Sequence, residues 1–196
     1  MGNIGSISNM LKHLGVKAIV SSDTLQIRKA KKLILPGVGH FDMAMNNIKA
    51  LDLIDSIKYM VLEEKVPILG ICLGMQLMCN SSEEGSQAGL SLFDASVKRF
   101  AFPSHTNLKI PHMGWNTIKI AKESPIIIDI DINPRFYFVH SYYVSCQESS
   151  DVLTYTNYGH DFVSSFSHEK IFGVQFHPEK SHKFGIKLFK NFIDLI

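Results

Sequence analysis

Bulk composition says little about function in this sequence, and each scarcity excludes something. Cysteine is rare: Cys72, Cys79 and Cys146 are the three in 196 residues. They are too few and too scattered for a disulfide framework, and they lack the paired spacing of a zinc site. No metal or other cofactor is therefore expected, and sparse free thiols fit a reducing, cytoplasmic compartment. An excess of one charge is also lacking. The 20 Lys+Arg against 18 Asp+Glu leave a net +2, which is not the basic footprint of a nucleic-acid binder. No apolar run is long enough to cross a bilayer, and the opening MGNIGSISNMLKHLG has neither the basic nor the apolar stretch of a secretory signal. Repeats, low-complexity tracts and Pro/Gly-rich linkers are absent, so residues 1–196 read as one domain. With 45% hydrophobic and 19% charged residues, that domain should be folded.

What is present alternates. Ile4, Ile7, Leu11 and Leu14 recur at helical spacing, and Gly15 offers a stop. Three short apolar runs follow: Ala18-Ile19-Val20, Leu33-Ile34-Leu35 and Val66–Ile71. Each reads as a buried parallel strand, with a helical stretch from about Phe41 to Glu64 before the last. That pattern predicts an α/β domain with a mostly parallel central sheet. The second half is different. Leu108–Ile120, Arg135–Ser145, Val152–Tyr158, Phe162–Phe166 and Ile171–Phe176 are rich in aromatic and β-branched residues and predict strands. The short Tyr158-Gly159-His160-Asp161 connection predicts an antiparallel hairpin. Phe184, Leu188, Phe192 and Leu195 line one face of a final helix over Lys183–Leu195.

Three segments carry chemistry. In Pro67-Ile-Leu-Gly-Ile-Cys-Leu-Gly-Met-Gln76 an apolar strand runs through Gly70 to Cys72 and turns at Gly74 into a helix. This is the cysteine form of a nucleophile elbow, in which a tight strand-to-helix turn exposes the nucleophile at the sheet edge. The positive end of the helix favours a thiolate, and the backbone N–H of Leu73 is placed to hold an oxyanion. A glycine-flanked cysteine packed in a core strand is the weaker explanation. Phe176-His177-Pro178-Glu179 follows another strand and supplies a base, His177, with a carboxylate, Glu179, to orient it. Among nine histidines, one beside a glutamate is weak by itself, and its position at a strand end strengthens it. Pro36-Gly37-Val38-Gly39 also ends a strand. It is either an oxyanion-binding loop or a plain turn.

Together these segments resemble the class I, triad-type glutamine amidotransferases, whose three-layer flavodoxin-like fold has an antiparallel portion in its C-terminal half. Pro111-His-Met-Gly-Trp-Asn116, Tyr137-Phe-Val-His-Ser-Tyr142 and Gly173-Val-Gln-Phe-His-Pro-Glu-Lys-Ser181 are most similar to the glutaminase subunits of imidazole glycerol phosphate synthases. The resemblance covers nearly the whole chain. It implies that Cys72, His177 and Glu179 form a triad hydrolysing glutamine to glutamate and ammonia through a thioester. Ammonia would then pass to a (β/α)8 cyclase partner that makes imidazole glycerol phosphate and aminoimidazole carboxamide ribotide, a step of histidine biosynthesis. It further implies that Gly37, Val38 and Leu73 form the oxyanion hole. Gln76, Ser141 and Tyr142 would hold the amino-acid end of glutamine, and Pro111, Trp115 and Lys180 would face the partner. The bland readings are ordinary: a strand end for Ser141 and Tyr142, a polar first-turn residue for Gln76, a core tryptophan for Trp115 and a solvated charge for Lys180.

Two features depart from the family pattern. The family begins with a strand just before the Gly-Asn that stands here as Gly2-Asn3, and this chain starts at Met1. A central strand is therefore expected to be missing, and an upstream-extended chain to be more stable. Arg135–Cys146 and Ser181–Gly185 are also similar to paralogues that supply ammonia to a surface-sugar amidotransferase. Two readings outside the family's chemistry stay open: a cysteine peptidase or γ-glutamyl hydrolase on the same fold, and a non-catalytic subunit that only activates its partner.

Overall fold

The computed structural model describes residues 4–196. Its helices and strands, in chain order, are α1 (Ile4–His13), α2 (Thr24–Ile27), β1 (Leu33–Gly37), α3 (Phe41–Ala50), α4 (Leu53–Lys58), β2 (Ile68–Cys72), α5 (Leu73–Leu77), β3 (Ser81–Ser82), β4 (Ala95–Arg99), β5 (His112–Thr117), β6 (Lys119–Ile120), β7 (Arg135–His140), β8 (Tyr142–Cys146), β9 (Val152–Tyr158), β10 (His160–His168), β11 (Ile171–Val174) and α6 (His182–Leu195). One nine-stranded sheet runs β1-β2-β11-β10-β8-β4-β3, with β9 beside β10 and β6 beside β9. A second, two-stranded sheet pairs β5 with β7.

The predicted fold class holds. β1, β2 and β11 pair in parallel, and the pairs from β11 through β10 and β8 to β4 are antiparallel. β2 explains why Val66–Ile71 is apolar without alternation, since all five residues of the strand are buried. Ile68 packs with α3, α4 and α5 in one layer, while Leu69 and Ile71 pack with α1 and α6 in the other. A strand covered on both faces has no polar side to display.

Some boundaries differ from the sequence reading. Ala18-Ile19-Val20, expected as a buried strand, is irregular, with Ile19 74% and Val20 66% exposed. Three apolar residues make a strand only when a neighbour takes their backbone groups, and no ladder in the described residues reaches them. The strand expected upstream of Gly2-Asn3 lies outside the described residues. The Phe41–Glu64 stretch is two helices and a π-helical turn, Tyr59–Glu63, broken where Asp52 takes a left-handed φ of 53°. Arg135–Ser145 splits at Ser141 into β7 and β8, which enter different sheets. Leu108–Ile120 shortens to β5 and β6. The Tyr158–Asp161 hairpin forms as predicted, with Gly159 at φ 78°.

Candidate active site

The parallel register brings the chemistry to one edge. Gly37 at the end of β1 pairs with Cys72 at the end of β2, and Val174 at the end of β11 pairs with Ile71. Three strand ends converge, and the chain beyond β11 carries His177 toward Cys72.

Cys72 sits at the predicted elbow, with φ 55° and ψ −113°, a conformation that an L-residue adopts at a cost of about 1–3 kcal/mol. Glycines let the following helix lie directly on the strands. A Cβ on Gly74 would come 1.8 Å from the backbone oxygen of Leu35, and one on Gly70 would come 2.8 Å from the backbone of Met75. Gly74→Ala should therefore cost about 3 kcal/mol or more, because the clash is with backbone that cannot rotate away. Chemical denaturation checks this; a loss under about 1 kcal/mol would mean that α5 is free to shift.

His177 is 1% exposed, and its Nδ1 lies 2.8 Å from Glu179 Oε1. A carboxylate there accepts the Nδ1 proton and turns Nε2 outward. The turn is braced from behind. His177 N–H donates to the Tyr137 carbonyl at 2.8 Å, Ser181 Oγ donates to the His177 carbonyl at 2.6 Å, and Tyr137 N–H donates to Ser181 Oγ at 3.0 Å. Burial pushes the His177 pKa down, but hydrogen bonds to Cys72 and Glu179 outweigh burial and raise it to about 9. With its pKa at about 9, the ring carries both protons at neutral pH and lies between the sulfur and a carboxylate. Burial pushes the Cys79 thiol well above the usual range and Cys146 to about 12.

The other residues expected at the site lie as follows. Leu73 directly follows Cys72 as the first residue of α5, and Gly37 stands beside Cys72 across the β1–β2 ladder, with Val38 next to it and 47% exposed. Gln76 is buried, and its amide nitrogen reaches the Tyr142 carbonyl at 3.1 Å and Gln175 Oε1 at 2.9 Å. Ser141 joins β7 to β8, and its carbonyl accepts from Phe100 N–H. Trp115 is 46% exposed and stacks on His182, not in the core. Lys180 lies 5.5 Å over the Tyr137 ring, and Pro111 follows a cis bond at the start of β5.

Two histidines that the sequence reading passed over are drawn in. His112 Nδ1 and His140 Nε2 are 2.9 Å apart inside an aromatic cluster, and burial drives their pKa values to about 4 and about 3. Both are neutral. Gln175 was missed as well; its place two residues before His177 on the same strand edge was the available signal. No group of His, Cys, Asp and Glu able to hold a metal occurs among the described residues, and no helix there is long and apolar enough to span a membrane.

The family model for class-I glutamine amidotransferases matches residues 1–195. A Methanococcus maripaludis protein named imidazole glycerol phosphate synthase subunit HisH 2 is 52% identical, over 98% of this chain and 95% of its own length. A Pseudomonas aeruginosa protein of the same name is 45% identical over 100% of this chain and 96% of its own length. Subunit HisH 1 of Campylobacter jejuni strain RM1221 is 45% identical over 99% and 96%. Among solved structures, a glutamine amidotransferase superposes with a TM-score of 0.76 at 19% identity, covering 99% of this chain and 94% of that one. The glutaminase domain of Trypanosoma brucei CTPS does so at 0.64 and 15%, covering 98% and 89%. At these identities, the structural likeness speaks for the fold alone.

Proposed function

The chain belongs to the class-I glutamine amidotransferases, and from that premise we propose that it is the glutaminase subunit of an imidazole glycerol phosphate synthase, with Cys72, His177 and Glu179 as its triad. The observation that carries the triad is the pairing of an elbow cysteine with a buried, carboxylate-held imidazolium. The Cys72 sulfur attacks the side-chain amide carbon of glutamine. The oxyanion faces the Leu73 N–H and the Gly37–Val38 loop. His177 Nε2 gives its proton to the departing nitrogen, so ammonia leaves and a γ-glutamyl thioester remains. His177 then takes a proton from water, which attacks the thioester carbon and releases glutamate and the sulfur. Gln76, Ser141 and Tyr142 line the approach and hold the amino-acid end of the substrate.

Ammonia passes to a cyclase subunit of (β/α)8 fold, in the cytoplasm. Trp115, Lys180 and Pro111 form the face toward it; an exposed tryptophan braced by a flat histidine suits an interface anchor. The Arg135–Cys146 and Ser181–Gly185 segments, similar to paralogues that serve a surface-sugar amidotransferase, give a second acceptor for the same ammonia. Glutamine hydrolysis by the chain alone, and mixed with the cyclase and its phosphoribosyl ligand, separates the two. Strong stimulation by the cyclase is the expected result. No stimulation, with Cys72 still open to glutamine-like electrophiles, would move the partner to the sugar enzyme.

A further inference from the structure

We infer that Gln175 is a positioning residue for the nucleophile, donating a side-chain N–H to the Cys72 sulfur. The inference rests on the proposal that Cys72 is the attacking group. Gln175 Nε2 lies 3.8 Å from Cys72 Sγ, within reach of an N–H···S hydrogen bond. The residue is 0% exposed, and its backbone N–H is tied to the Ser164 carbonyl at 2.9 Å. The β2–β11 register explains the placement: Val174 pairs with Ile71, so the next residue on each strand, Gln175 and Cys72, also fall side by side.

Which end of the Gln175 amide faces the sulfur follows from an atom of unambiguous chemistry. The Tyr142 carbonyl can only accept. It lies 3.1 Å from the Gln76 amide nitrogen and 2.8 Å from His140 Nδ1. Both neighbours must therefore present N–H groups, and the Gln76 amide is fixed with nitrogen toward Tyr142. That same nitrogen is 2.9 Å from Gln175, so Gln175 must offer its oxygen there. Its NH2 is left pointing at the sulfur. The His140 orientation is held in turn. With Nδ1 protonated, its Nε2 accepts from His112 Nδ1, and His112 Nε2 accepts from Asn116 Nδ2 at 3.2 Å. Every member of this buried chain has its proton assigned, and the last donor in it is aimed at Cys72.

A donor to sulfur stabilises the thiolate more than the thiol and holds it at one position. Alongside it stand the imidazolium of His177, backed by Glu179, on one side and the neutral His140 behind Tyr142. Gln175 thus supplies a neutral, directional contact where a second charge would unbalance the pair.

The test is the rate of Cys72 alkylation by iodoacetamide against pH in the full chain, with glutamine turnover measured in the complex with the cyclase. In Gln175→Glu, a carboxylate oxygen replaces the donor and repels the thiolate. The midpoint of the profile should rise by about one pH unit, and alkylation at pH 7 should fall by up to about tenfold. Gln175→Met, which keeps the length and removes the donor, should move both in the same direction by less. Turnover should fall through kcat with KM nearly unchanged. A residue that only packs would leave the profile in place, so an unshifted profile in both variants would overturn the inference even if turnover fell. Cys72→Ala and wild-type turnover in the same assays report on the nucleophile assignment separately. If glutamine were not hydrolysed at all, that reading would fail whatever the Gln175 profiles showed.

Discussion

Cys72→Ala is expected to abolish glutamine hydrolysis, by a factor of at least about 10³, while leaving the chain folded and bound to its partner. The loss should be this large because the sulfur forms the covalent bond and no other side chain at the strand ends can replace it. Cys79 and Cys146 are no substitute, since burial holds both as thiols. Folding should survive because alanine has no Cβ beyond the one cysteine already carries. The complex should still make product from added ammonia, as the acceptor chemistry takes place on the other subunit. Steady-state assays with glutamine and with ammonia check both halves. A variant that kept its glutamine-dependent rate would remove Cys72 from the mechanism.

His177→Ala is the second large effect, expected at about 10³–10⁴-fold, with Glu179→Ala losing less. The ordering follows from contact. His177 bonds the sulfur and moves the proton to the leaving nitrogen, whereas Glu179 acts only by holding Nδ1 at 2.8 Å. The raised pKa of about 9 adds a pH signature. Sulfur attack needs the imidazolium as its partner, and that form persists until the pH approaches 9. The acylation rate should therefore hold across neutral pH and decline above about 9. In Glu179→Ala one of the contributions that raise the pKa is gone, so the decline should begin at lower pH. Turnover-versus-pH profiles for wild type and Glu179→Ala decide it. A coincident alkaline limb would mean that the carboxylate does not support the charged ring.

The sequence carried the strand ends better than the connections. Cys72 and its two glycines, the Phe176–Glu179 run and the Gly37 loop each close a short apolar strand, and all three reach the same edge. Fully buried parallel strands write themselves as unbroken apolar runs, so the elbow was legible. Ala18–Val20 misled for the same reason: β propensity signals a residue fit for a sheet, and a partner strand decides whether one forms. The split of Arg135–Ser145 at Ser141 was hidden because β7 and β8 share one composition, although they belong to different sheets. Trp115 could be read as core or as surface, and only its place on the two-stranded sheet beside His182 decides. The links from Asn116 through His112 and His140, and the Gln175 amide, depend on contacts between distant segments, which no local pattern records.

The central claim, that a glutamine side chain is attacked by Cys72, is tested most directly by trapping. The assembled complex would be treated with a glutamine-analogue electrophile and the modified peptide identified by mass spectrometry. A single adduct on Cys72 is expected, prevented by excess glutamine and absent in His177→Ala over the same time. No adduct on Cys72 while glutamine turnover continues, or an adduct on Cys79 or Cys146 instead, would contradict it.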